Sequence, residues 1–479
     1  MRTAGRGITA DLERIFYMDN KKNISVIIPV CNNLVNLQNV LALLRICSSE
    51  FIREIIVVDN HSDPDVRKWL QIQPDIDIIC NDENKGSAVA FNQGAAKAKG
   101  EYILFMHSDV YISLDAIPNA IKAMQIDERI GIVGVYTNRS KQRWQSINIQ
   151  DKDKYSSIES MMDYASQRKK VPENNTYTVV VEDFFMLVRN VAYQAVQGFD
   201  EKFTYSSWAD FDLSLRMQMA GYVCYLVDEF VHHDADSYDD NNWDSRKIIS
   251  DNKHYFKEKW YTDPLYATNV RTDILQFINL GKTGLKLLDV GCSCGGNLMT
   301  IRQVNPSADL YGIEYNERMA QVASCYGRVH VMDVEKIEFK DWHNKFDYII
   351  CGDVLEHLHN PWKTLTQLGK YLNKEGKIII SLPNINHISI IAQIMSGVWN
   401  YEEAGILDKT HLRFFTKKTA IEMVEKAGLL PLESYALTIS LNNELLSWYK
   451  KLTQAGLHTV PDDEMLAFQW LIIAGKKEV

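Results

Sequence analysis

The chain has 479 residues, of which 46% are hydrophobic and 24% charged, and 62 acidic against 52 basic residues give a net charge of −10. A single hydrophobic core rarely grows beyond about 250–300 residues, so this length predicts two or three domains. The composition excludes a wholly disordered or fibrous chain. The negative charge argues against general nucleic-acid binding, which relies on a basic surface.

Targeting and redox signals are few. No apolar run reaches the roughly 20 residues that span a bilayer, and the N-terminal segment lacks the apolar core of a secretory signal. The eight cysteines are scattered, and Cys292 and Cys294 are interpreted as small residues of a tight turn rather than as metal ligands. These features predict a cytoplasmic protein without a transmembrane segment, which would reach a lipid-linked acceptor by peripheral contact at the inner membrane face.

The first half of the chain alternates apolar strand patterns with helical ones. Strands are predicted at 24–30, 54–59, 76–80, 101–106 and 178–188, and helices at 34–44, 87–98 and 209–220. Such alternation predicts a parallel sheet with right-handed crossovers, whose ligands bind at the carboxyl ends of the strands.

Two polar stretches interrupt this pattern. Residues 139–175 are predicted to form a mobile excursion near the site, and residues 232–247 are acidic without periodicity. A short amphipathic segment at 254–260 precedes Pro264, which places the predicted domain boundary at about 262. The predicted division is an N-terminal extension 1–21, a first domain 22–262 and a second domain 263–479.

A second alternation begins after this boundary. Helices are predicted at 270–280 and 296–304, and strands at 286–291, 309–314, 329–333, 346–351, 377–383 and, as the closing strand, 468–476. The fold class predicted for the whole chain is therefore α/β with two domains.

Three polar clusters follow strand ends in the first domain, namely Asp59 to Ser62, Asn84 to Gly86 and His107 to Asp109. Each cluster alone could cap a helix or form a turn. A nucleoside diphosphate, however, needs polar partners for its base and ribose, and its phosphates need a cation such as Mg²⁺ held by one or two carboxylates. The recurrence of the clusters at successive strand ends favours such a site, with Asp109 near the metal.

Residues 24–235 resemble family-2 glycosyltransferases of the GT-A fold, especially the rhamnosyltransferase-like branch. The matching pieces are SVIIPVCNN, EIIVVDNHS, NKGSAVAFNQG, YILFMHSDV and GFDEKFTYSSWADFDLSLRMQMAGY. The resemblance implies a nucleotide-sugar donor, with Pro29 and Asp59 contacting its nucleoside and Gly86 letting the backbone approach it.

The same resemblance assigns the reacting groups. It implies that Asp109 binds Mg²⁺ or Mn²⁺ and that Asp210 is the general base of an inverting transfer. His233 matches a histidine found near the metal in some members, or it caps a loop. The chain departs from the usual motifs at His107 and Ala209, where relatives commonly carry acidic residues.

The second domain contains a glycine-rich turn, Gly291 to Gly296, after its first strand. Glu314 ends the next strand, where it is suited to bind two ribose hydroxyls. The turn lacks the GxGxxG spacing that seats a pyrophosphate at a helix N-terminus. The pattern therefore favours a ligand with a ribose and no phosphate.

Residues 270–479 resemble class I methyltransferases through LLDVGCSCGG, YGIEYN, VMDVEK, FDYIICGDVLEHLHNPWKTL, IIISLPN and HLRFFT. The resemblance implies S-adenosylmethionine (SAM) as the cofactor. The implied SAM-binding residues, from the methionine part to the ribose, the adenine and the acceptor side, are Asp289, Gly291, Gly295, Glu314, Asp333 and Asp353.

Glu356 and His357 follow Asp353 on the acceptor side, and three interpretations stay open for them. They bind a divalent metal, or His357 is a general base for the acceptor, or they cap a helix. His411 and Arg413 either contact the acceptor or stabilise a turn, and the structural interpretation is favoured.

Together these patterns predict a bifunctional enzyme of surface-polysaccharide biosynthesis. It would transfer a sugar from a nucleotide-sugar donor to a glycan or lipid-linked glycan and O-methylate a glycan hydroxyl. One alternative is a methyltransferase whose degenerate first domain only binds a sugar nucleotide or glycan. Another is a methyltransferase for an unrelated small molecule or lipid.

Overall fold

A computed structural model describes residues 22–140, 145–147, 157–168, 175–204, 208–234, 243–456 and 461–477. The predicted extension 1–21 lies outside these residues, as do parts of the polar stretches 139–175 and 232–247. The chain divides into two units, Met1–Thr268 and Asn269–Val479.

The strands and helices of the first unit alternate over most of its length. In chain order they are β1 (Ile24–Val30), α1 (Leu34–Cys47), β2 (Ile52–Asn60), α2 (Pro64–Gln71), β3 (Asp77–Asn81), α3 (Ser87–Ala95), β4 (Tyr102–Met106), β5 (Val110–Ile112), α4 (Ala116–Ile126), β6 (Ile130–Thr137), α5 (Ile158–Arg168), β7 (Thr176–Thr178), β8 (Phe185–Arg189), α6 (Asn190–Ala195), α7 (Ala209–Met219), β9 (Val223–His233), α8 (Trp243–Trp260) and α9 (Pro264–Ala267).

The first sheet has a parallel half and a mixed half. Its order is β3-β2-β1-β4-β8-β6-β9-β5, with β7 beside β9. Strands β3, β2, β1 and β4 are parallel, as predicted, whereas β8 is antiparallel to both β4 and β6. The prediction of one strand over 178–188 was wrong, because residues 179–184 form a buried segment before β8 begins at Phe185.

Local sequence explains the parallel half. All but one of the residues in the apolar, β-branched run of β1 are buried. In α1 the side chains of Leu37, Val40, Leu41 and Leu44 recur at helical spacing, and all four are buried. These buried elements position the strand ends that follow.

The second unit repeats the alternation. Its elements are α10 (Thr272–Leu275), β10 (Lys286–Val290), α11 (Gly296–Val304), β11 (Asp309–Glu314), α12 (Glu317–Ala323), β12 (Arg328–Val331), β13 (Phe346–Gly352), α13 (Pro361–Tyr371), β14 (Leu372–Pro383), α14 (Ile388–Met395), α15 (Lys417–Lys426), β15 (Leu429–Thr438), α16 (Asn443–Ala455), α17 (Asp462–Leu466) and β16 (Ala467–Lys476).

The second sheet has the order β12-β11-β10-β13-β14-β16-β15. The first five strands are parallel, and β16 runs antiparallel between β14 and β15. The predicted final strand is thus present, but it lies inside the sheet because β15, which was not predicted, pairs with its outer edge. The predicted helix 270–280 is shorter than expected and forms only the turn α10.

The α/β class with two domains is confirmed. Strand register brings the carboxyl ends of the parallel strands together in each unit, with Val30 beside Asp59 in the first and Val290 beside Cys351 in the second. Among the described residues, no helix combines the length and apolar character that crossing a bilayer requires.

Candidate functional site

A cavity opens at the carboxyl edge of the first sheet. Its lining comes from the ends of β1 and β2, from the loops that follow β1, β3 and β4, and from the first residue of α3. The lining residues are Pro29, Val30, Cys31, Asn33, Asn60, Asn84, Ser87, His107, Ser108 and Asp109. Residues from all three of the predicted polar clusters therefore meet around one cavity.

Asparagine side chains fix the loops around this cavity. Asn60 Nδ2 donates to Oδ1 of Asn84 at 2.8 Å, and Asn60 Oδ1 accepts from the backbone N–H of Lys85 at 3.0 Å. Gly86 follows with φ of +83°, a conformation that glycine adopts without a steric penalty, and α3 begins at Ser87. The N-terminus of α3 therefore lies at the cavity, which Ser87 lines.

Asp59 occupies a different position from its neighbour Asn60. Its side chain is fully buried, Oδ2 lies 2.7 Å from Nε of Arg67, and Oδ1 accepts from the backbone N–H of Ser62. Asn60, rather than Asp59, lines the cavity. The nucleoside contact assigned to Asp59 stays a prediction, and ligand binding there would involve Arg67 as well.

Three potential metal ligands converge beside this cavity. One ligand atom each from His107, Asp109 and His233 lies within 4.8 Å of the other two. His233 Nε2 is 3.5 Å from Asp109 Oδ1, and its Nδ1 is 3.3 Å from the carbonyl oxygen of Arg139. With Nδ1 held by a carbonyl, Nε2 is the nitrogen that faces the carboxylate.

His107 was interpreted from sequence as a departure from the metal motif, and the structure places it inside the cluster. Its ring lies 5.5 Å from that of His233, edge to face. Its Nε2 lies 3.3 Å from Oδ1 of Asp183, a buried carboxylate that no sequence motif singled out. The cluster therefore contains two imidazoles and one carboxylate, because His107 stands where the usual motif has a second acidic residue.

Helix α7 packs against the buried segment 179–184. Gln218 Nε2 donates to the carbonyl of Val179 at 2.7 Å, and Ser214 Oγ accepts from the backbone N–H of Val181 at 3.2 Å. The helix and the segment run in opposite directions, since higher numbers on one meet lower numbers on the other.

Continuing this pairing by one helical turn locates Asp210. Residues four apart share a helix face, so Asp210 lies on the face of Ser214 and Gln218, toward the Asp183 end of the segment. Asp183 in turn contacts His107. The helix that carries the predicted base therefore packs on the same buried segment that carries Asp183.

A second carboxylate on the same helix has a structural role. Asp212 is fully buried, and its oxygens lie 2.7 Å from Nε of Arg216, 2.6 Å from Nζ of Lys259 and 2.9 Å from Nε1 of Trp260. Lys259 and Trp260 belong to α8 and anchor α7 against it, whereas Arg216 lies one turn along α7 itself. Asp212 thus stabilises the helix that presents Asp210.

In the second unit the glycine-rich turn contacts the end of β11. The backbone N–H of Ser293 donates to Glu314 Oε2 at 2.8 Å, and Gly291 N–H donates to the carbonyl of Ile313 at 2.8 Å. Gly291 and Gly295 have φ of +69° and +84°. Burial raises the pKa of Glu314, although backbone hydrogen bonds oppose this shift.

Asp289 lies beneath this turn at the end of β10. Its side chain is buried, and Asn297 Nδ2 donates to its Oδ2 at 3.2 Å. Burial raises the pKa of Asp289 to about 7; the hydrogen bond from Asn297 opposes this shift and the charge of Glu314 adds to it. A positively charged group of a ligand bound near Asp289 would stabilise the ionised carboxylate and lower its pKa.

Asp333 and Asp353 follow β12 and β13 at the carboxyl edge of the sheet. Asp333 caps a short 3₁₀ turn, and the hydrogen bond from Lys336 lowers the pKa of this carboxyl. Asp353 has φ of +56°, and its oxygens lie 2.5 Å from Arg271 Nη1 and 2.7 Å from Ser381 Oγ. Asp353 is therefore tied into the protein, and Arg271 was missed from sequence.

A second cluster of potential metal ligands follows β13. Ligand atoms of Glu356, His357 and His411 all lie within 4.8 Å of one another. Glu356 is 1% exposed, and neither of its carboxylate oxygens has a hydrogen-bond partner among the described residues. His357 Nδ1 lies 3.3 Å from the carbonyl of Thr410, and His411 Nδ1 lies 2.9 Å from that of Ile406.

Burial governs the ionisation of this cluster. It raises the pKa of Glu356 well above its usual value, with Asp353 adding to the shift, and it lowers the pKa of His357, with His411 adding to that shift. Arg413 is not one of the residues of this cluster. Its Nη2 donates a hydrogen bond to the carbonyl oxygen of His359 at 2.6 Å. Its contact supports the structural interpretation.

Two α/β units, each with polar side chains gathered at the carboxyl edge of its own sheet, define a chain with two separate sites of the nucleotide-binding kind. Residues 25–193 match the family model for glycosyl transferase family 2, and residues 265–434 match a model for a methyltransferase domain. The chain joins a family-2 glycosyltransferase domain of the GT-A type to a class I SAM-dependent methyltransferase domain.

Each half of the chain is similar in sequence to known proteins. The chain is 24% identical over 174 residues to the ubiquinone biosynthesis O-methyltransferase of Aeromonas salmonicida, covering 35% of this chain and 72% of that protein. It is 34% identical over 120 residues to the uncharacterized glycosyltransferase YfnE of Bacillus subtilis, covering 24% of this chain and only 30% of that protein. The solved mannosyltransferase PcManGT from Pyrobaculum calidifontis aligns with TM-score 0.37 and 17% identity over 51% of this chain and 67% of that one.

Proposed function

We propose that the protein is a bifunctional enzyme of surface-polysaccharide biosynthesis. The first domain would transfer a sugar from a nucleotide-sugar donor to a glycan or lipid-linked glycan, with inversion, and the second would O-methylate a glycan hydroxyl. The observation that carries the first activity is the cluster of His107, Asp109 and His233 beside a cavity lined by Asn60 and Asn84. We place both reactions in the cytoplasm, with peripheral membrane contact where the acceptor is lipid-linked.

The side chains of the first site fit a divalent cation. Two imidazoles and one carboxylate are ligands that Mn²⁺ accepts, and a bound cation would neutralise the charge of the departing nucleoside diphosphate. Asp210 would take the proton from the acceptor hydroxyl as it attacks the anomeric carbon. Buried Asp212 would hold the helix in place through Arg216 and Trp260.

Oxygen as the methyl acceptor is supported by the relatives named O-methyltransferases. The cofactor sulfonium is already activated, so the domain has to position the acceptor in line and assist loss of its proton. The carboxylate of Glu356 has no hydrogen-bond partner among the described residues, and it lies beside two histidines whose Nδ1 atoms face carbonyl oxygens. This arrangement suits the binding of a divalent cation better than the capping of a helix. Such a cation would lower the pKa of an acceptor hydroxyl.

Asp210→Asn tests the transferase activity, and Asp212→Asn is the matched control on the same helix. Removing a general base is expected to lower kcat about 10²–10⁴-fold while the KM for the donor is retained. The control is expected to lose stability and to keep its turnover per folded molecule. Donor candidates come from a thermal-shift screen of nucleotide sugars with Mn²⁺ and with Mg²⁺.

The alternative is a degenerate first domain that only binds its ligand, which the buried Ala209 at the base motif favours. If a nucleotide sugar binds yet no donor turns over with either cation, that alternative is correct and the transferase proposal is wrong. Equal turnover in Asp210→Asn and the unaltered chain would refute the assignment of the base.

Glu314→Ala and Glu356→Gln separate cofactor binding from methyl transfer. The first variant is expected to lose S-adenosylhomocysteine binding in calorimetry, because the ribose loses its bidentate acceptor. The second is expected to retain that binding and to lose both methyl transfer and the dependence of transfer on an added cation. Full methyl transfer by Glu356→Gln after chelation would exclude the metal at this site.

A further inference from the structure

The side chain of Asn60, at the end of β2, has a single amide orientation. Its Oδ1 accepts from the backbone N–H of Lys85 at 3.0 Å, and its Nδ2 donates to the carbonyl oxygen of Gly86 at 3.3 Å. A backbone N–H only donates and a carbonyl oxygen only accepts, so these two bonds determine which end of the amide faces each of them. The residue is 4% exposed, and the protein backbone therefore fixes its amide.

The fixed amide of Asn60 in turn orients Asn84. Asn60 Nδ2 donates to Oδ1 of Asn84 at 2.8 Å, and the same Oδ1 accepts from the backbone N–H of Gly86 at 3.0 Å. Both lone pairs of this oxygen are thus used, whereas Nδ2 of Asn84 has no hydrogen-bond partner among the described residues. Asn84 lines the cavity, so its side chain can offer a bound molecule N–H donors but no free acceptor.

Asn81 supports Asn60 from outside the cavity lining. It ends β3 as the register partner of Asn60, is 4% exposed, and donates from Nδ2 to Oδ1 of Asn60 at 3.0 Å. Gln93 of α3 holds Asn81, because its Oε1 accepts from Nδ2 of Asn81 at 2.9 Å and its Nε2 donates to Oδ1 of Asn81 at 3.0 Å. Neither Asn81 nor Gln93 is among the residues that line the cavity, whereas Asn60 is. The influence of Asn81 on a ligand therefore passes through Asn60.

We propose that Asn81 is a positioning residue for the donor nucleotide, because its N–H holds Asn60 in the orientation that leaves Asn84 as a hydrogen-bond donor at the cavity. The cavity is then specific, at Asn84, for an oxygen acceptor of the nucleotide, either a phosphate oxygen or a carbonyl oxygen of the base. This role rests on the proposed function for the identity of the ligand as a nucleotide-sugar donor. It involves none of the three potential metal ligands beside the cavity.

Asn84→Asp tests whether Asn84 acts as a donor. The aspartate keeps the oxygen that accepts from Asn60 and Gly86, but a second oxygen replaces the N–H groups and repels an oxygen acceptor. Titration calorimetry of the full-length protein uses UDP, GDP, dTDP, CDP and ADP, each with Mn²⁺ and with Mg²⁺. For the nucleotide that binds most tightly, the variant is expected to lose affinity about 10–100-fold. Unchanged or raised affinity would overturn the proposal.

Inorganic pyrophosphate, titrated with the same cations, separates the two sources of the oxygen. If Asn84→Asp weakens pyrophosphate binding by the same factor as nucleotide binding, the acceptor is a phosphate oxygen. If pyrophosphate binds the variant as it binds the unaltered chain and only the nucleotide loses affinity, the acceptor belongs to the base. Either result supports Asn84 as the donor.

Asn81→Asp tests the positioning role. The carboxylate places an oxygen opposite Oδ1 of Asn60, where the amide N–H donates in the unaltered chain. Nucleotide affinity is expected to fall about tenfold, although residue 81 does not line the cavity. Asn190→Asp is the matched control, because Nδ2 of Asn190 donates to the carbonyl of Gly100 at 2.9 Å, just before β4 and at the opposite edge of the sheet. This control is expected to retain its nucleotide affinity.

An Asn60→Ala background separates positioning from general damage. Without the Asn60 amide, Asn81 has no hydrogen-bonded connection to Asn84, so Asn81→Asp is expected to change nucleotide affinity by less than about twofold. The proposal is overturned if Asn81→Asp in the otherwise unaltered chain also stays within about twofold, or if it lowers affinity by the same factor in both backgrounds.

These outcomes are distinct from failure of the proposed function. A chain that binds a nucleoside diphosphate in this way but transfers no sugar upholds the role of Asn81 and refutes the transferase activity. A chain that transfers sugar with an unchanged donor KM in Asn81→Asp refutes the role of Asn81 and upholds the activity. Binding of none of the five nucleotides would refute both.

Discussion

Replacing Asp289 with asparagine removes a carboxyl group that is 2% exposed beneath the glycine-rich turn. Burial raises its pKa to about 7, against the hydrogen bond from Asn297 and with the charge of Glu314 adding to the shift. The folded chain therefore holds this proton more tightly than the unfolded chain, in which aspartate titrates near pH 4.

The sign and size of the effect follow from this difference. As the pH rises from about 4 to about 7, the unfolded chain releases the proton first, so folding stability falls. A shift of roughly three units corresponds to about 4 kcal/mol in total, of which roughly 2–3 kcal/mol develops between pH 5 and pH 8. Asparagine does not titrate, so Asp289→Asn is expected to gain stability over the unaltered chain as the pH rises.

Differential scanning calorimetry of the full-length protein measures this gain. The methyltransferase transition is the one that S-adenosylhomocysteine shifts upward. For a unit of this size, 2–3 kcal/mol corresponds to roughly 4–12 °C in Tm. Asp289→Asn is therefore expected to raise this Tm by that much more at pH 8 than at pH 5, and to weaken S-adenosylhomocysteine binding.

Asp347→Asn is the control of opposite sign. Burial alone would raise the pKa of Asp347, but hydrogen bonds from Lys282, the backbone N–H of Lys286 and Asn373 outweigh it and lower the pKa. Its contribution is present above the unfolded pKa and is lost as the pH falls, so Asp347→Asn is expected to lower Tm at pH 8 and to have less effect at low pH. If Asp289→Asn changed Tm equally at pH 5 and pH 8, burial would not raise the pKa of Asp289 in the folded chain.

Two further substitutions test packing at the two sites. Gly295→Ala places a Cβ 2.9 Å from the Cα of Ala323 at a φ of +84°. The substitution is expected to lower the free energy of unfolding by about 1–3 kcal/mol and to weaken S-adenosylhomocysteine binding. An unchanged Tm would show that the turn relaxes. Arg67→Ala removes the cation beside fully buried Asp59 and is expected to cost about 2–3 kcal/mol in urea unfolding, less than for a fully buried pair because Arg67 is one-third exposed. The double variant Arg67→Ala, Asp59→Asn is expected to recover part of that loss, and no recovery would contradict the role of the unpaired charge.

Local sequence patterns predicted the elements that build the site edges. The bounds of α11 and β11 were predicted as the structure has them, and β1 likewise, because apolar runs bounded by glycine or polar residues are local signals. Parallel pairing then followed from strand–helix alternation, which places the carboxyl ends of these strands on one edge.

Other features depend on contacts between distant residues. The apolar run 178–188 resembled a single strand, but its first part packs against α7. Two polar side chains of that helix, Ser214 and Gln218, form hydrogen bonds to its backbone. His107 and Asp183 are 76 positions apart, so their contact had no local signal. His411 lies beside Glu356 although they are distant in sequence, and the backbone N–H groups of Leu412 and Arg413 donate to the Glu356 carbonyl.

The presence of two independent sites is tested by isothermal titration of the full-length protein with S-adenosylhomocysteine. The titration is done before and after saturation with Mn²⁺ and the nucleoside diphosphate that the donor screen selects. One equivalent of each ligand is expected to bind, with the affinity for S-adenosylhomocysteine unchanged by the nucleotide and abolished in Glu314→Ala. Competition between the two ligands, or loss of nucleotide binding in Glu314→Ala, would show that the chain does not hold two independent sites.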